Sequence, residues 1–305
     1  MDMITSFLAA DIRMATPIMI AALGILFSER AGIVNIGTEG MILIGALAGV
    51  IGSFYTGSVW MGALIAMLVT LAFSAIFAFF TVTIKADQTV IGTGMNILAA
   101  GLTVTVNRAI FGASTSPPKI DVFSAIPIPI LSDIPILGKA LFSQSLPVYI
   151  AFILVPIAWF VMFRTNIGLK LRAVGENPRA CDTVGINVSK IRWMSVLYSG
   201  VMAGFAGAYV SMGQMSFFTE GIVAGGGFMA LAAVVFGNYT PLGVMIASLV
   251  FGASNALQYS LQVLNTGIPD QLMGTLPYII TIVALCMVIR RSKKPASSAI
   301  PYIKE

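Results

Sequence analysis

Few side chains in this sequence could perform catalysis. The 305 residues include no His, which excludes an imidazole base, a His proton relay and a His-ligated metal. The two cysteines, Cys181 and Cys286, have no Cys or His at metal-ligand spacing, so we expect them to be packing residues. No Gly-x-x-x-x-Gly-Lys-[Ser/Thr] phosphate loop and no carboxylate pair at catalytic spacing occurs. The sequence therefore predicts a non-catalytic protein without a cofactor or metal, and it disfavours an intramembrane enzyme.

The composition indicates which elements position the remaining polar groups. Apolar residues make up 58% of the chain and charged residues 10%, against roughly a quarter charged in soluble domains. At about 20 apolar residues per crossing, this predicts an all-α membrane protein, a bundle of about nine (eight to ten) transmembrane helices in one domain, 1–305. Short Gly-rich spans could also enter the membrane only partway. The candidate spans are 14–28, 38–54, 59–84, 88–111, 147–164, 191–213, 222–237, 240–262 and 272–291.

The distribution of positive charge predicts the orientation in the bilayer. Most of the 17 Lys and Arg residues lie in 164–192 and 290–304. A net charge of +5 could suggest nucleic acid, but in a membrane protein such clusters mark cytoplasmic segments. Counting spans then places the C-terminus inside, the N-terminus outside and the Pro-rich stretch 112–146 outside as an extracytoplasmic loop.

The sequence also contains an internal repeat. A shift of 181 positions aligns Thr38-Glu39-Gly40 with Thr219-Glu220-Gly221, and Gly45 with Gly226. The copies are five spans apart, so they must enter from opposite sides, and we predict an inverted-topology repeat, about 14–111 and about 191–291. Glycines four apart, Gly45 with Gly49 and Gly221 with Gly225, favour close helix packing in both copies.

The basic segment 164–192 contains a short helix signal. Asn177 can cap a helix that starts at Pro178, and Gly185 can end it. A helix of about two turns is not stable alone. It is either a connector held by anionic headgroups or a docking helix for a cytoplasmic partner.

Two runs resemble a known family. Gly-Glu-Asn-Pro-x-Ala-x-x-x-Gly-Ile at 175–186 and Glu-Arg-Ala-Gly-Ile-Val-Asn-Ile-Gly-Thr-Glu-Gly at 29–40 resemble the membrane permease subunit of bacterial ABC importers of the branched-chain amino acid/ribose type. The second run is most similar to the purine nucleoside (simple-sugar) branch. The resemblance covers about residues 10–291 and implies a multi-pass protein of the bacterial inner or plasma membrane.

The resemblance also implies partners and a fold. It makes 164–190 the cytoplasmic coupling segment that contacts a separate ABC ATPase subunit. It implies an extracytoplasmic solute-binding lipoprotein, a second permease chain, identical or paralogous, and a type II importer arrangement of about ten helices. Because the sequence has nine candidate spans and the resemblance implies about ten, we expect that a first helix is missing or is reduced to the amphipathic segment 2–12. The coupling positions carried over are Gly175, Glu176, Asn177, Pro178, Arg179, Ala180 and Gly185.

A nucleoside or sugar calls for amide side chains, acceptors and aromatic faces along its path. Residues of these types in or beside the spans are candidates for that path: Asn35, Glu39, Thr93, Asn96, Phe217, Phe218, Glu220 and Asn255. Glu39 and Glu220 have a second interpretation as carboxylates at helix N-termini. Arg108 is expected to reach the outer headgroups, and Asp87 to cap the following helix.

Other solutes and another class of transporter remain open. Ribose-like sugars and branched-chain amino acids fit the same family. A secondary transporter or channel driven by an ion gradient is the alternative from a different class, and ATP dependence of uptake separates it from an ABC importer.

Overall fold

The computed structural model describes residues 2–112, 120–127, 129, 137–263, 269–288 and 294–303. Apart from one isolated bridge, Ala125 with Ser145, its regular structure in these ranges is helical, as predicted. The helices are α1 Asp2–Arg30, α2 Thr38–Thr56, α3 Val59–Ala78, α4 Gln88–Phe111, α5 Leu137–Phe142, α6 Leu146–Arg164, α7 Asn166–Glu176, α8 Pro178–Thr183, α9 Val188–Tyr209, α10 Gly226–Phe236, α11 Pro241–Val263, α12 Asp270–Met273 and α13 Leu276–Val288. One π-helical turn extends α3 over Phe79–Thr83, and another extends α9 over Val210–Gln214.

Seven of the described helices are long and apolar enough to cross a membrane. They are α1, α2, α3, α4, α6, α9 and α11, each continued by its π turn where it has one. The predicted spans 222–237 and 272–291 contain shorter helices, α10 and α13. The protein is therefore a multi-pass helical bundle, and the count of about nine crossings stays a prediction.

The first helix is longer than predicted. The sequence suggested a span from residue 14, preceded by a separate amphipathic segment at 2–12, but α1 is one helix from Asp2 to Arg30. Asp11 and Arg13 interrupt the apolar run, yet neither Gly nor Pro occurs before Pro17 to break the helix.

The centre of the bundle is an antiparallel pair, α1 and α9. The side chain of Gln214 donates to the Arg13 carbonyl, Gly24 faces Ser199 and Met202, and Arg192 donates to the Ala31 carbonyl. Around this pair α1 packs most extensively on α11, and α3 on α9. We call the end of the bundle where Arg30, Arg164 and Arg192 lie the basic end.

The second helix starts inside the bundle. After α1 ends at the basic end, residues 31–37 turn back, and Asn35 reaches Ser199, eleven positions into α9. At 1.5 Å per residue this is roughly 16 Å from the start of α9, about half of a ~30 Å hydrocarbon layer. From there α2 runs parallel to α9 towards the opposite end, with Gly45 on Gly204 and Gly49 on Ala208.

The two predicted glycine pairs have different structural roles. Gly45 and Gly49 permit the close packing of α2 on α9 that the sequence predicts. The prediction was wrong for Gly221 and Gly225, which lie in the turn before α10 with φ of +73° and +85°. Glycine is favoured there because it tolerates positive φ, and the four-residue spacing alone could not distinguish the two causes.

Substituting Gly45 by Ala is expected to destabilise the fold. A Cβ at Gly45 would lie 2.8 Å from the Gly204 Cα, a backbone atom that cannot move without displacing α9. We expect a loss of about 1–3 kcal/mol, seen as a lower thermal midpoint in detergent. Gly94→Ala on α4 is the matched control, since its Cβ meets nothing within 4 Å and Ala favours a helix. Equal midpoints for the two variants would contradict this packing.

Candidate functional site

Two helix N-termini meet at mid-depth, with the Glu39 carboxylate between them. The backbone N–H of Gly225 donates to Glu39 Oε1 at 2.9 Å, and that of Gly227 donates to Oε2 at 2.6 Å. From this point α10 runs to the basic end, where the Tyr239 carbonyl accepts two bonds from Arg30. The carboxylate thus satisfies N–H groups at the start of α10 while it lies in the first turn of α2, and both helix dipoles stabilise its charge.

The repeat-related glutamate is in a different environment. Glu220 lies in the turn before α10 and accepts from Arg108 of α4, with Nη2 to Oε1 at 2.9 Å. Both side chains are about half exposed, 58% for Arg108 and 46% for Glu220. Arg108, expected to reach headgroups, therefore pairs within the chain, and the sequence identity of Glu39 and Glu220 does not extend to their contacts.

A cavity of about 280 Å³ lies beside the junction of α2 and α10. Its polar lining consists of amides and phenols: Gln214, Asn255, Gln258, Tyr259 and Tyr278. No charged side chain is among the described residues that line it. The apolar lining comes from α1, α2, α10 and the turn before α10, chiefly Met14, Pro17, Ile18, Ile42, Val223 and Met229. A neutral solute with hydrogen-bonding groups and a flat apolar face suits such walls.

Of the residues predicted to line a path, Asn255 lies in this cavity. Asn35 is fully buried and donates to Ser199 Oγ at 3.3 Å. Asn96 holds the start of α2: its Oδ1 accepts from the Gly40 N–H at 2.8 Å, and its Nδ2 donates to the Ile36 carbonyl at 3.0 Å. Thr93 is exposed on α4 and donates to its own helix.

The two predicted aromatic residues lie before the Glu220 turn. Phe218 is buried against Leu43 and Leu47 of α2, while Phe217 is half-buried. Neither is among the residues that line the cavity. The structure therefore gathers Glu39 and Asn255 around the α2/α10 junction, and it distributes the other predicted path residues over α4, the core and the exposed turn.

Four polar lining residues were not predicted from the sequence: Gln214, Gln258, Tyr259 and Tyr278. A signal existed on α11, where positions 255, 258 and 259 share one helix face at i, i+3 and i+4 spacing. An amide at two of these positions within an apolar span requires a partner or a function. No comparable signal identifies Gln214, whose amide also donates to the Arg13 carbonyl at 2.8 Å.

The described part of the predicted loop 112–146 covers the end of the bundle opposite the basic end. The Ile120 N–H donates to the Ser216 carbonyl, and the Phe123 N–H to the Met212 carbonyl at 2.9 Å. Phe123 also contacts Trp60 of α3 with ring centroids 5.0 Å apart. These residues therefore pack on the chain itself. Pro117, Pro118 and Pro135 of the predicted rigid loop lie outside the described residues.

At the basic end, α8 is the predicted short surface helix, and α7, which was not predicted as a helix, precedes it. Asn177 Oδ1 accepts from the Ala180 N–H at 3.1 Å, Pro178 is the first residue of α8, and Gly185 follows it with φ of +82°. These features confirm the predicted capped helix of about two turns. Cys181 packs with Val174 and Val188 beneath it, and burial raises the pKa of its thiol, in line with a packing role.

Of the seven residues carried over for coupling, two are at least partly buried and five are exposed. Gly175 is buried, and a Cβ there would collide with the carbonyl oxygen of Arg30. Pro178 is half-buried as the first residue of α8. The other five present an exposed ridge at the surface of the basic end: Glu176, Asn177, Arg179, Ala180 and Gly185.

The tail 294–303 fixes this ridge to the bundle. Ser297 N–H and Oγ both donate to the Gly175 carbonyl, and the Ala299 N–H donates to the Gly32 carbonyl. Arg192, only 2% exposed, donates to the carbonyls of Ala31 and Ile300. The end of α7, the end of α1 and the start of α9 are therefore joined through one cluster of hydrogen bonds.

These features define the class of protein. Several apolar helices are long enough to span a bilayer, a cavity lies between α1, α2, α10 and α11, and a polar helix pair lies at one end. Two of the helices that line the cavity, α2 and α10, begin at mid-depth. This is the architecture of a multi-pass membrane transport protein.

The comparisons with known proteins identify the family. The family described as "Branched-chain amino acid transport system / permease component" matches residues 7–285. The chain is 41% identical over 299 residues to the guanosine ABC transporter permease protein NupQ of Bacillus subtilis, covering 95% of this chain and 94% of that protein. It is 38% identical over 305 residues to the nucleoside ABC transporter permease protein NupC of Lactococcus lactis, with the same coverage. The chain belongs to this family of permease components.

A solved structure shares the fold. An ABC transporter of metal-chelate type in an inward-facing conformation superposes with a TM-score of 0.51 over 92% of this chain and 85% of that chain, at 15% identity. The similarity concerns the fold alone. The family resemblance stated from the sequence is confirmed, and the chain is a permease component of an ABC transporter in a cell membrane.

Proposed function

We propose that this chain is the membrane subunit of an ATP-driven importer of purine nucleosides. The observation that carries the solute class is the cavity beside the α2/α10 junction, whose described lining has amides on α11, two tyrosines and no charged side chain. A zwitterionic amino acid would leave its ammonium and carboxylate without a countercharge among the described lining residues, which is costly away from water. The edge of a purine can form hydrogen bonds with the amides, and its flat face can stack on the tyrosine rings. The names of the two relatives support the same solute.

The proposed mechanism requires two states of the bundle related by the inverted repeat. The antiparallel course of α1 and α9 supports this repeat, as does the reciprocal packing of α1 on α11 and α3 on α9. In this scheme α2 and α10 are matched helices that begin at mid-depth and run to opposite ends. Rocking of one half on the other would open the cavity to each side in turn.

The ATPase would act at the basic end. The ridge of Glu176, Asn177 and Arg179 is exposed there, while Gly175 and the tail tie it to α1 and α9. We therefore propose that 164–190 is the coupling segment, that this end and the C-terminus are cytoplasmic, and that the membrane is the bacterial inner or plasma membrane. The positive charge of the segment agrees with that side.

Two further partners belong to the proposal. A second permease chain would pack on α4, a span with most of its surface uncovered, where Thr93, Ile97 and Gly101 are exposed. An extracytoplasmic solute-binding lipoprotein would dock on the opposite end, on the surface formed by the described part of 120–146. The arrangement as a whole would be of the type II importer kind.

The test is uptake by the assembled transporter in vesicles. The chain is reconstituted with its ATPase and receptor, and uptake of labelled guanosine, ribose and leucine is compared with and without ATP. Guanosine uptake that needs ATP is expected. Guanosine uptake without ATP and without the ATPase would identify a secondary transporter, and preferential uptake of ribose or leucine would refute the nucleoside assignment.

The cavity makes a specific prediction for α11. The double variant Asn255→Ala, Gln258→Ala is expected to raise the KM for guanosine at least about tenfold, since two hydrogen-bonding partners of the purine are removed. Basal ATP hydrolysis should remain within about twofold. Gln262→Ala is the matched control, because Gln262 lies one turn further on the same helix and is not among the cavity residues. An unchanged KM in the double variant would show that the solute does not touch this wall.

A further inference from the structure

A large apolar groove lies on the bundle surface at the basic end, apart from the solute cavity. Its volume is about 870 Å³, and its walls are formed by α6, α7, the α8–α9 turn, α9 and the end of α1. Apolar residues form most of the surface, among them Phe27, Leu154, Val161, Ile191 and Met194. Met194 is 60% exposed and Ile157 49%, so apolar side chains are open to whatever fills the groove.

The groove has the length of one lipid leaflet. Leu154 lies ten residues before the end of α6 at Arg164, and Tyr198 lies ten residues after the start of α9 at Val188. Ten helical residues rise roughly 15 Å, which is half of a ~30 Å hydrocarbon core. The groove therefore extends from the basic end to mid-depth and stops there.

Its mouth is polar and positive. Lys170 on α7 and Lys190 on the first turn of α9 line the rim at the membrane boundary, beside the amide of Asn187. Both lysines are exposed, and no carboxylate is among the described residues that line the groove. Two lysines at headgroup level above an apolar slot complement an anionic headgroup with its acyl chains.

We propose that this groove binds one anionic phospholipid of the leaflet at the basic end, with its phosphate near Lys170 and Lys190. The lipid would also contact Val184 and Gly185, which lie in the turn between α8 and α9 and line the same groove. Through these contacts it would stabilise the position of α7 and α8, the helix pair that the proposed function assigns to ATPase coupling. The lipid site itself depends on the bilayer and the groove, and not on the identity of the solute.

The test is a comparison of lipid retention by the purified full chain. Native mass spectrometry follows the binding of dioleoyl-phosphatidylglycerol and dioleoyl-phosphatidylcholine to wild type and to the double variant Lys170→Gln, Lys190→Gln. Wild type should retain one phosphatidylglycerol with a preference of about tenfold or more, since each lysine contributes roughly fivefold. The double variant should bind the two lipids within about twofold of each other. Lys85→Gln, an exposed charge at the same end outside the groove, should keep the wild-type preference.

A second variant tests the apolar wall. Met194→Trp places a larger side chain into the groove and should reduce the retention of both lipids at least about fivefold. Preference for phosphatidylglycerol that survives in the double lysine variant would overturn the proposal. So would equal binding of both lipids by wild type, or chain dimers that form without lipid and hide the groove. Displacement of the lipid by inorganic phosphate alone would show a phosphate site and not a phospholipid site. None of these outcomes depends on nucleoside transport.

Discussion

Replacing Glu39 by Ala is expected to lower ATP-driven guanosine uptake at least about tenfold and to destabilise the bundle. The carboxylate accepts from Gly225 at 2.9 Å and from Gly227 at 2.6 Å, 186 and 188 residues away in sequence. Alanine would leave both N–H groups without this acceptor at mid-depth, at a cost of about 2–4 kcal/mol. Thermal unfolding in detergent measures the loss, and Glu39→Gln should lie between Ala and wild type because an amide offers one acceptor oxygen.

Glu220→Ala is the control that the chain itself provides. Glu220 aligns with Glu39 in the predicted repeat, but its partner Arg108 is exposed and the pair is open to solvent. Exposed ion pairs contribute about 0–1 kcal/mol, so the thermal midpoint should change little. If Glu39→Ala and Glu220→Ala lowered stability equally, the assignment of a special role to the α2/α10 junction would be wrong.

The contrast between the two glutamates shows what the sequence could and could not predict. The identical triplets at 38–40 and 219–221 predict a repeat, which stays a prediction. The first triplet begins α2, whereas the second lies in the turn before α10. The bonds from Glu39 to the start of α10 depend on a contact across nearly 190 residues, which no local pattern contains. From the sequence the two carboxylates have the same pair of interpretations, and tertiary packing gives them different partners.

Local signals were reliable where the cause is local. Asn177 caps α8 and Asp87 caps α4, with Asp87 Oδ1 accepting from the Thr89 N–H at 2.8 Å, as predicted. Each bond joins residues two or three apart, and a short polar side chain before a helix start is sufficient to predict it. The seven long apolar helices were predictable for a similar reason, since about twenty largely apolar residues indicate a span without knowledge of their neighbours.

The orientation suggested by the charge pattern stays a prediction, and the same pattern does not predict the environment of each basic residue. Arg192 belongs to the basic stretch, where exposure to headgroups would be the ordinary expectation, yet it is buried against the carbonyls of Ala31 and Ile300. The tail that buries it follows the last apolar run, and nothing local predicts its docking. A buried guanidinium requires hydrogen-bonding partners, and here they come from the residue after α1 and from the tail.

The tail also determines what a coupling variant should do. Replacing both Glu176 and Arg179 by Ala is expected to lower ATP-driven uptake at least about tenfold, because this exposed ridge is the surface proposed to receive the ATPase. Membrane insertion and the thermal midpoint should stay near wild type, since Gly175, Ser297 and Arg192 hold the segment by bonds that these two side chains do not make. Uptake and ATP hydrolysis by the reconstituted transporter are measured together.

The informative result is the separation of hydrolysis from transport. If the ridge transmits the motion of the ATPase, the variant should hydrolyse ATP at its basal rate without the stimulation that a guanosine-loaded receptor gives to wild type. The double variant Arg108→Ala, Glu220→Ala removes the same two kinds of charge from the exposed pair between α4 and the turn before α10, and it should keep basal hydrolysis and at least half of the uptake. Normal uptake by the Glu176, Arg179 variant would mean that the ATPase moves the bundle through a different surface. The tail cluster around Arg192 would then be the next surface to test, since it joins α1, α7 and α9 at the same end.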